Sequence, residues 1–185
     1  MIFTPPYRIY RRRPNERGSL SMSNVKDHLD ATRTQLLQEI HTLDDTAFNK
    51  KPDAQSWSVA QICHHLVLVE EATKKAITWG LKAEEQSTPA RKNVHLILDR
   101  SRKFQAPPIV EPAEEPFTVQ AMLDLLATTR QNLLAFLQTI EEPEALAKRA
   151  VKHPALGELP LDQWIEMVYM HEQRHIKQLQ EIVRE

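Results

Sequence analysis

Two histidines near the end of this 185-residue sequence have the spacing of metal ligands. His171 and His175 are four residues apart, so a helix through them stacks their imidazoles one turn apart. Trp164, Val168 and Leu179 recur at helical intervals on the same face, which predicts that both histidines point into the core. Two imidazole nitrogens so arranged can bind one divalent ion.

A third histidine, His65, lies on the apolar side of an earlier predicted helix. That apolar stripe also contains Ile62, Leu66, Val69, Thr73 and Ala76. His64 is rotated by about 100° from this face, so we expect it beside the site or at the surface. A lone buried histidine is usually satisfied by a backbone carbonyl, but three would leave several polar groups unsatisfied without a shared partner. We therefore predict that His65, His171 and His175 hold one divalent metal ion, with zinc or nickel expected first.

The segment from His171 to His175 also matches H-E-x-x-H, the zinc-protease signature in which the glutamate is the general base. We do not favour that interpretation, because Glu172 is turned by about 100° from the histidine face and no further histidine follows in this sequence. The other candidate ligands are expected to take no part in a metal site. They are Cys63, His28, His41, His95 and His153.

Four long amphipathic segments must position these side chains. The first runs from Asn24 to about Leu43, and the second follows Ser58, which forms a potential capping box with Gln61 and leads to about Gly80. The third begins after Thr118 and ends before Pro143, and the fourth starts near Leu161. The apolar stripe of the third helix is Met122, Leu125, Leu126, Leu133, Phe136, Leu137 and Ile140.

The connection between the second and third helices, from about 84 to 117, contains prolines that forbid a long helix there. A short helix around 94–99 is expected within it, and the segment from Pro107 to Phe117 could line the entrance to the site. A polar loop is expected through His153 and Gly157. Four long helices with one long crossover predict an all-α four-helix bundle, and the presence of only three glycines agrees with this.

Composition excludes several classes of function. The formal net charge of -1 gives no field that would favour nucleic acid, and no apolar run long enough for a membrane span is present. One cysteine cannot form an internal disulfide, so we expect a cytoplasmic protein. Residues 1–22 carry a cluster of arginines and several prolines and are predicted to be a disordered extension, with the folded domain at 23–185.

Two motifs resemble those of the DinB/YfiT-like superfamily of metal-binding four-helix bundles. Residues 57–66 read W-S-V-A-Q-I-C-H-H-L, similar to the family's W-S-x-x-Q-h-x-H-H-L, where h is apolar. Residues 171–178 read H-E-Q-R-H-I-K-Q, similar to its closing H-x-x-x-H-h-x-Q. The resemblance covers roughly Asn24 to Glu185. It implies an up-down-down-up bundle, often a homodimer, with metal ligands at His65, His171 and His175.

The same resemblance implies two enzyme activities that the motifs do not separate. Some members are metal-dependent hydrolases, and others are S-transferases that use bacillithiol, mycothiol or a related thiol. We favour a thiol S-transferase, since the metal can lower the pKa of a small thiol cosubstrate that then meets an electrophilic small molecule. Hydrolysis of an amide or ester needs a general base, for which Glu70 and Glu166 are the marginal candidates.

A non-catalytic metal-binding stress protein is a third possibility, because fold and site alone do not establish turnover.

The three tryptophans could form either pocket walls or core. Trp57, Trp79 and Trp164 are expected to be core residues rather than pocket walls.

Overall fold

Helices dominate the computed structural model, which describes residues 22–83, 89–101 and 104–184. The helices are α1 Met22–Ile40, α2 Asp45–Asn49, α3 Val59–Lys82, α4 Val119–Gln138, α5 Ala145–Lys148 and α6 Leu161–Val183, with 3₁₀ turns at Val94–Leu98 and Pro108–Val110. The long helices α1, α3, α4 and α6 confirm the predicted four-helix bundle, and the first 3₁₀ turn lies where a short helix was expected. The N-terminal extension predicted at 1–22 falls almost wholly outside the described residues.

Local capping signals correctly predicted where two of these helices begin. The Ser58 hydroxyl accepts the Gln61 backbone N–H at 3.2 Å, and the Gln61 side chain accepts the Ser58 N–H at 3.1 Å. Thr118 caps α4 by accepting the Ala121 N–H at 3.1 Å. These bonds satisfy backbone donors that have no partner inside a helix.

The loop predicted around His153 is instead a small β-hairpin, so that prediction was wrong. Strands β1 Ala150–His153 and β2 Gly157–Pro160 pair antiparallel, and Gly157 turns the chain with a φ of 69°. The hairpin packs where α3 meets α6. A Cβ added at Gly80 would lie 2.7 Å from a Leu161 methyl and 2.8 Å from a Val151 methyl, so glycine permits this close approach.

Side-chain pairs between helices give their relative directions. Along α1 and α6, Arg33 pairs with Glu172 and Glu39 pairs with Gln180, so these two helices run parallel. Helix α4 also contacts α1 and runs antiparallel to it. The Arg33 side chain donates to the Leu126 carbonyl, and the Arg130 side chain donates to the Leu29 carbonyl.

The remaining helix, α3, runs parallel to α4. Glu70 pairs with Arg130, and one turn later Lys74 lies over the Phe136 ring. Together these directions give the up-down-down-up order. In the part of the chain that the structure describes, no helix combines the length and apolarity needed to cross a membrane.

A layer of four buried charges divides the interior of the bundle. Each long helix contributes one residue, Arg33 from α1, Glu70 from α3, Arg130 from α4 and Glu172 from α6, and none is more than 6% exposed. We call these four residues the ionic layer. One apolar half of the core includes Leu29, Ile77, Leu133 and Ile165, and the other includes Leu36, Ile62, Met122 and Ile176.

Two sequence predictions about exposure were wrong. Leu125, assigned to the buried stripe of α4, is 39% exposed, and Trp79, expected in the core, is 65% exposed. Trp164 is buried as expected. Trp79 lies one residue before Gly80 in the last turns of α3, where the hairpin and α6 cover a different face of the helix.

Candidate metal centre

The bundle brings the three predicted histidines together between α3 and α6. One ligand nitrogen from each of His65, His171 and His175 lies within 4.8 Å of the others. The Nε2 atoms of His171 and His175 are 3.1 Å apart, and the His65 ring centroid is 5.1 Å from each of the other two. Among the described residues, no other group of three or more His, Cys, Asp or Glu side chains is arranged to hold an ion.

Two of the three imidazoles are oriented by hydrogen bonds on their outward nitrogens. The His65 Nδ1 donates to the Val110 carbonyl at 2.7 Å. Since a carbonyl can only accept, the neutral ring carries its proton on Nδ1 and its Nε2 lone pair stays available. The His175 Nδ1 lies 2.9 Å from the Gln178 side-chain oxygen, which has the same effect. Such outer hydrogen bonds commonly set the tautomer of metal-binding histidines.

This arrangement fits a divalent cation. At zinc–nitrogen distances of about 2.05 Å and a tetrahedral angle, two ligand nitrogens lie about 3.3 Å apart, close to the 3.1 Å between His171 and His175. Two facing lone pairs at that distance repel unless a proton or a cation lies between them. Three protein ligands also leave at least one coordination position for water or substrate, as catalytic rather than structural zinc sites do.

The crossover between α3 and α4 forms one wall of the site. Val110, inside the segment predicted to line the entrance, supplies the carbonyl that binds His65. Three residues later, the Ala113 backbone N–H donates to the Nδ1 of His64 at 3.0 Å, and the Ala113 carbonyl accepts from Gln61 at 3.4 Å. His64 therefore holds the crossover beside the site and does not join the three ligands.

The first half of the crossover is fastened along α6. The Gln163 side chain makes two hydrogen bonds to the Lys92 backbone, both 2.8 Å long. Further along α6, Arg174 donates to the carbonyls of Ile97 at 2.9 Å and Asp99 at 2.5 Å. Arg174 belongs to the segment between His171 and His175, so the helix that carries two candidate ligands also fixes the crossover.

Trp57 packs against the apolar core, as expected, and also stands beside the site. Its ring centroid lies 5.0 Å from that of His65, and the side chain is half-buried. The other histidines lie elsewhere: His28 stacks on Tyr169 and His153 packs on Trp164, in both cases with ring centroids 4.8 Å apart.

The glutamate of the H-E-x-x-H segment is one of the four residues of the ionic layer. Glu172 accepts hydrogen bonds from Thr32, from Arg33 at 2.7 Å and from Arg130 at 3.1 Å. Glu70 is bound by the same two arginines. The oxygens of both carboxylates are occupied by these hydrogen bonds within the ionic layer, so neither glutamate is placed to act as a general base.

The two remaining candidates for proton transfer or nucleophilic attack are also unsuited to those roles. Glu166 is buried and accepts from Arg91 at 2.7 Å. Burial raises the pKa of the Cys63 thiol to about 12, so this cysteine stays protonated and is not a nucleophile.

Sequence reasoning gave no orienting role to the two groups that contact the candidate ligands, although one of them, Gln178, ends the closing motif. Gln178 lies three residues after His175 on the same helix, and this spacing was a usable signal for contact between them. The role of the Val110 carbonyl could not be predicted from the sequence, because every residue has a backbone carbonyl and Val110 is 45 residues from His65.

Burial lowers the pKa of all three site histidines, which favours the neutral form that binds metals. The pKa of His175 falls to about 3, mainly through burial and then through the nearby His65. The pKa of His171 is held well below the ordinary value by burial and by its two histidine neighbours, and its Nδ1 has no hydrogen-bond partner among the residues that the structure describes. The pKa of His65 is lowered by burial, although the bond to Val110 opposes the shift.

These shifts predict that the metal-free protein loses stability in acid. The unfolded chain takes up a proton at each histidine near the ordinary pKa of about 6.5, whereas native His175 resists protonation down to about 3. This contribution is therefore fully present above pH ~6.5 and is lost progressively below it. At pH ~4.5, His175 alone should lower the free energy of unfolding by about 2–3 kcal/mol.

Urea denaturation with a chelator present, at neutral pH and at pH ~4.5, measures this loss. The His175→Leu variant is the control and should show a smaller loss over the same interval. Equal pH dependence in the two proteins would contradict the assignment of this contribution to His175.

Gln178 should matter for metal affinity because it fixes the His175 ring. In Gln178→Leu the ring loses its partner, and we expect metal affinity to fall by roughly 10- to 100-fold, the usual range for outer-shell partners. Competition with a chromophoric chelator measures the change. Gln180→Leu is the matched control, since Gln180 donates to Glu39 instead of a histidine; equal affinities in both variants would refute the role of Gln178.

Comparison with known proteins agrees with this fold. The sequence profile of the DinB superfamily matches residues 28–179. The chain is 29% identical over 150 residues to the uncharacterized protein YuaE from Bacillus subtilis (strain 168), covering 81% of this chain and 91% of YuaE.

Two solved structures share the architecture. YfiT from Bacillus subtilis, described as a probable metal-dependent hydrolase with an unusual four-helix bundle topology, has a TM-score of 0.62 and 18% identity, covering 94% of this chain and 92% of YfiT. The four-helix bundle protein TT2238 has a TM-score of 0.59 and 19% identity, covering 87% of this chain and 99% of TT2238. With its profile match across most of its length, this chain belongs to the DinB superfamily.

Proposed function

We propose that this protein is a metal-dependent thiol S-transferase in which His65, His171 and His175 bind one divalent ion. The observation that carries the proposal is the donor set itself: three imidazoles converge, and the two buried carboxylates on the same helices, Glu70 and Glu172, are bound by arginines. Zinc or nickel remains the expected ion because imidazole suits both. A small thiol such as bacillithiol remains the expected cosubstrate.

A divalent ion at this position supplies Lewis acidity, which lowers the pKa of a thiol that reaches it. The three histidines hold that position, while Val110 and Gln178 keep two of their lone pairs aimed inward. In the transfer, the thiol proton passes to solvent, sulfur bonds to the electrophilic carbon, and the leaving group departs with its electron pair. Once its pKa is near neutral, a thiol needs no dedicated base.

Hydrolysis of an amide or ester is the second candidate, and the description of YfiT favours it. Hydrolysis of an amide needs a group that takes a proton from the attacking water and passes it to the leaving nitrogen. The engagement of Glu70 and Glu172 by arginines argues against this role in the present chain. We therefore rank hydrolysis second.

The decisive experiment assays metal-loaded protein against low-molecular-weight thiols with a panel of electrophiles, and separately against amides and esters. Thiol conjugation that disappears in His171→Ala but persists in His64→Ala would support the proposal. Hydrolysis with the same dependence, and no conjugation, would reverse the ranking. Stoichiometric metal without turnover on either panel would indicate a non-catalytic metal-binding protein.

Two further expectations accompany this proposal. A cytoplasmic location suits the single buried thiol of Cys63, and the resemblance noted above implies a homodimer. Light scattering on the purified protein measures the mass directly, and a monomer at micromolar concentration would overturn the dimer prediction.

A further inference from the structure

The ionic layer links the same two helices that carry the histidines. Both glutamates belong to these helices, Glu70 to α3 and Glu172 to α6, whereas the two arginines come from helices that carry no proposed ligand. His65 precedes Glu70 by five residues, about 7.5 Å along the helix, and His171 directly precedes Glu172.

Each arginine bridges the two glutamates. Arg33 donates from Nη2 to Glu70 and from Nε to Glu172, both at 2.7 Å. Arg130 donates from Nε to Glu70 at 2.8 Å and from Nη2 to Glu172 at 3.1 Å. The helices α3 and α6 are therefore joined twice, once through α1 and once through α4.

These ion pairs fix the relative position of α3 and α6, which apolar packing alone does not fix. Apolar contacts are non-directional, so a helix can shift while burying nearly the same area. A shift of one residue moves a side chain by about 1.5 Å and rotates it by about 100°, and bridging bonds of 2.7–3.1 Å cannot survive such a change. A metal site tolerates errors of only about 0.2 Å in ligand distance.

We infer that Arg33 and Arg130 are positioning residues that set the register of α3 against α6 and thereby bring His65 to His171 and His175. The expected effect on metal binding rests on the proposed metal site. The register of α3 against α6 does not depend on a bound metal ion. Thermodynamic stability does not require this layer, since well-packed apolar residues can replace buried ion pairs without loss.

Two variants test the inference. In one, Arg33→Met, Glu70→Leu, Arg130→Met and Glu172→Leu together replace the layer with apolar residues. In the other, Arg33→Lys and Arg130→Lys keep the charges but remove the planar fork that bridges two carboxylates. Leu133→Ala is the control, because it weakens the apolar core without removing any charge of the ionic layer or any of the three histidines.

The first readout is Co²⁺ titration followed by visible absorption. We expect the apolar variant to keep its melting temperature while its Co²⁺ affinity falls by at least ~10-fold, the effect of losing ligand orientation. The lysine variant should lose affinity similarly, and Leu133→Ala should bind as wild type despite a lower melting temperature. If the apolar variant fails to fold, the lysine variant alone decides: wild-type affinity there would overturn the inference.

The second readout needs no metal, so it tests the helix register separately from the metal site. Imidazole ¹⁵N spectra of metal-free wild type should show a single set of signals with His65 protonated on Nδ1. In the folded variants these signals should split or broaden as the helices sample several registers. Unchanged spectra would overturn the inference, whereas failure of wild type to bind Co²⁺ would refute the metal site and leave this spectral test standing.

Discussion

We expect His175→Ala to lose the divalent metal ion that we propose the wild-type protein binds. The substitution removes one of two nitrogens 3.1 Å apart and leaves only His65 and His171 as ligands. Affinity should fall by more than the ~100-fold that marks the upper range for outer-shell changes. Elemental mass spectrometry on protein purified without an affinity tag measures the metal content, near one ion per chain in wild type.

His64→Ala is the matched control for this experiment. His64 neighbours His65 in sequence, yet its ring accepts a backbone hydrogen bond from Ala113 and packs on Phe117, with ring centroids 4.8 Å apart. Its loss should leave the metal content near that of wild type. Metal retained by His175→Ala, or lost equally from both variants, would contradict the proposed ligand set.

A second large effect is expected from Glu172→Gln, and it concerns stability. The substitution leaves two buried arginines facing only one carboxylate, that of Glu70, at positions where solvent reaches at most 6% of either residue. Breaking a buried ion pair in this way costs about 3–5 kcal/mol. The smaller value is expected here because the amide keeps some hydrogen bonds, and urea denaturation measures the change.

Restoring neutrality supplies the control. Glu172→Gln combined with Arg130→Gln removes one charge of each sign, so the double variant should be more stable than Glu172→Gln alone. If Glu172 were the general base of a protease-like site, Glu172→Gln would instead keep wild-type stability and lose only turnover. That outcome would refute the structural role assigned to the residue.

The H-E-x-x-H segment shows how one helical motif can serve two purposes. Its histidines lie one turn apart and face α3, whereas the glutamate is turned by about 100° toward the centre of the bundle, where Arg33 and Arg130 bind it. The same five-residue segment thus carries the proposed ligands on one face and a structural counter-ion on another. Matching the motif alone would have assigned the glutamate the wrong role.

The sequence by itself determined the helices and the three candidate ligands. Apolar residues at helical intervals identified the four long helices, and the capping residues Ser58 and Thr118 marked two starting points. The same periodicity placed His65, His171 and His175 on inward faces. These features depend on neighbours within a few residues, and helix geometry is regular enough to project them from the order of amino acids.

Only the tertiary structure decided which charged residues are buried, how the crossover runs and what orients the ligands. Arg33 and Glu172 are 139 residues apart, and each alone is typical of an exposed helix face. Their burial is favourable only because Glu70 and Arg130 arrive from two other helices to complete the ionic layer. A charge can leave water when partners replace its solvation, and those partners come from distant parts of the chain.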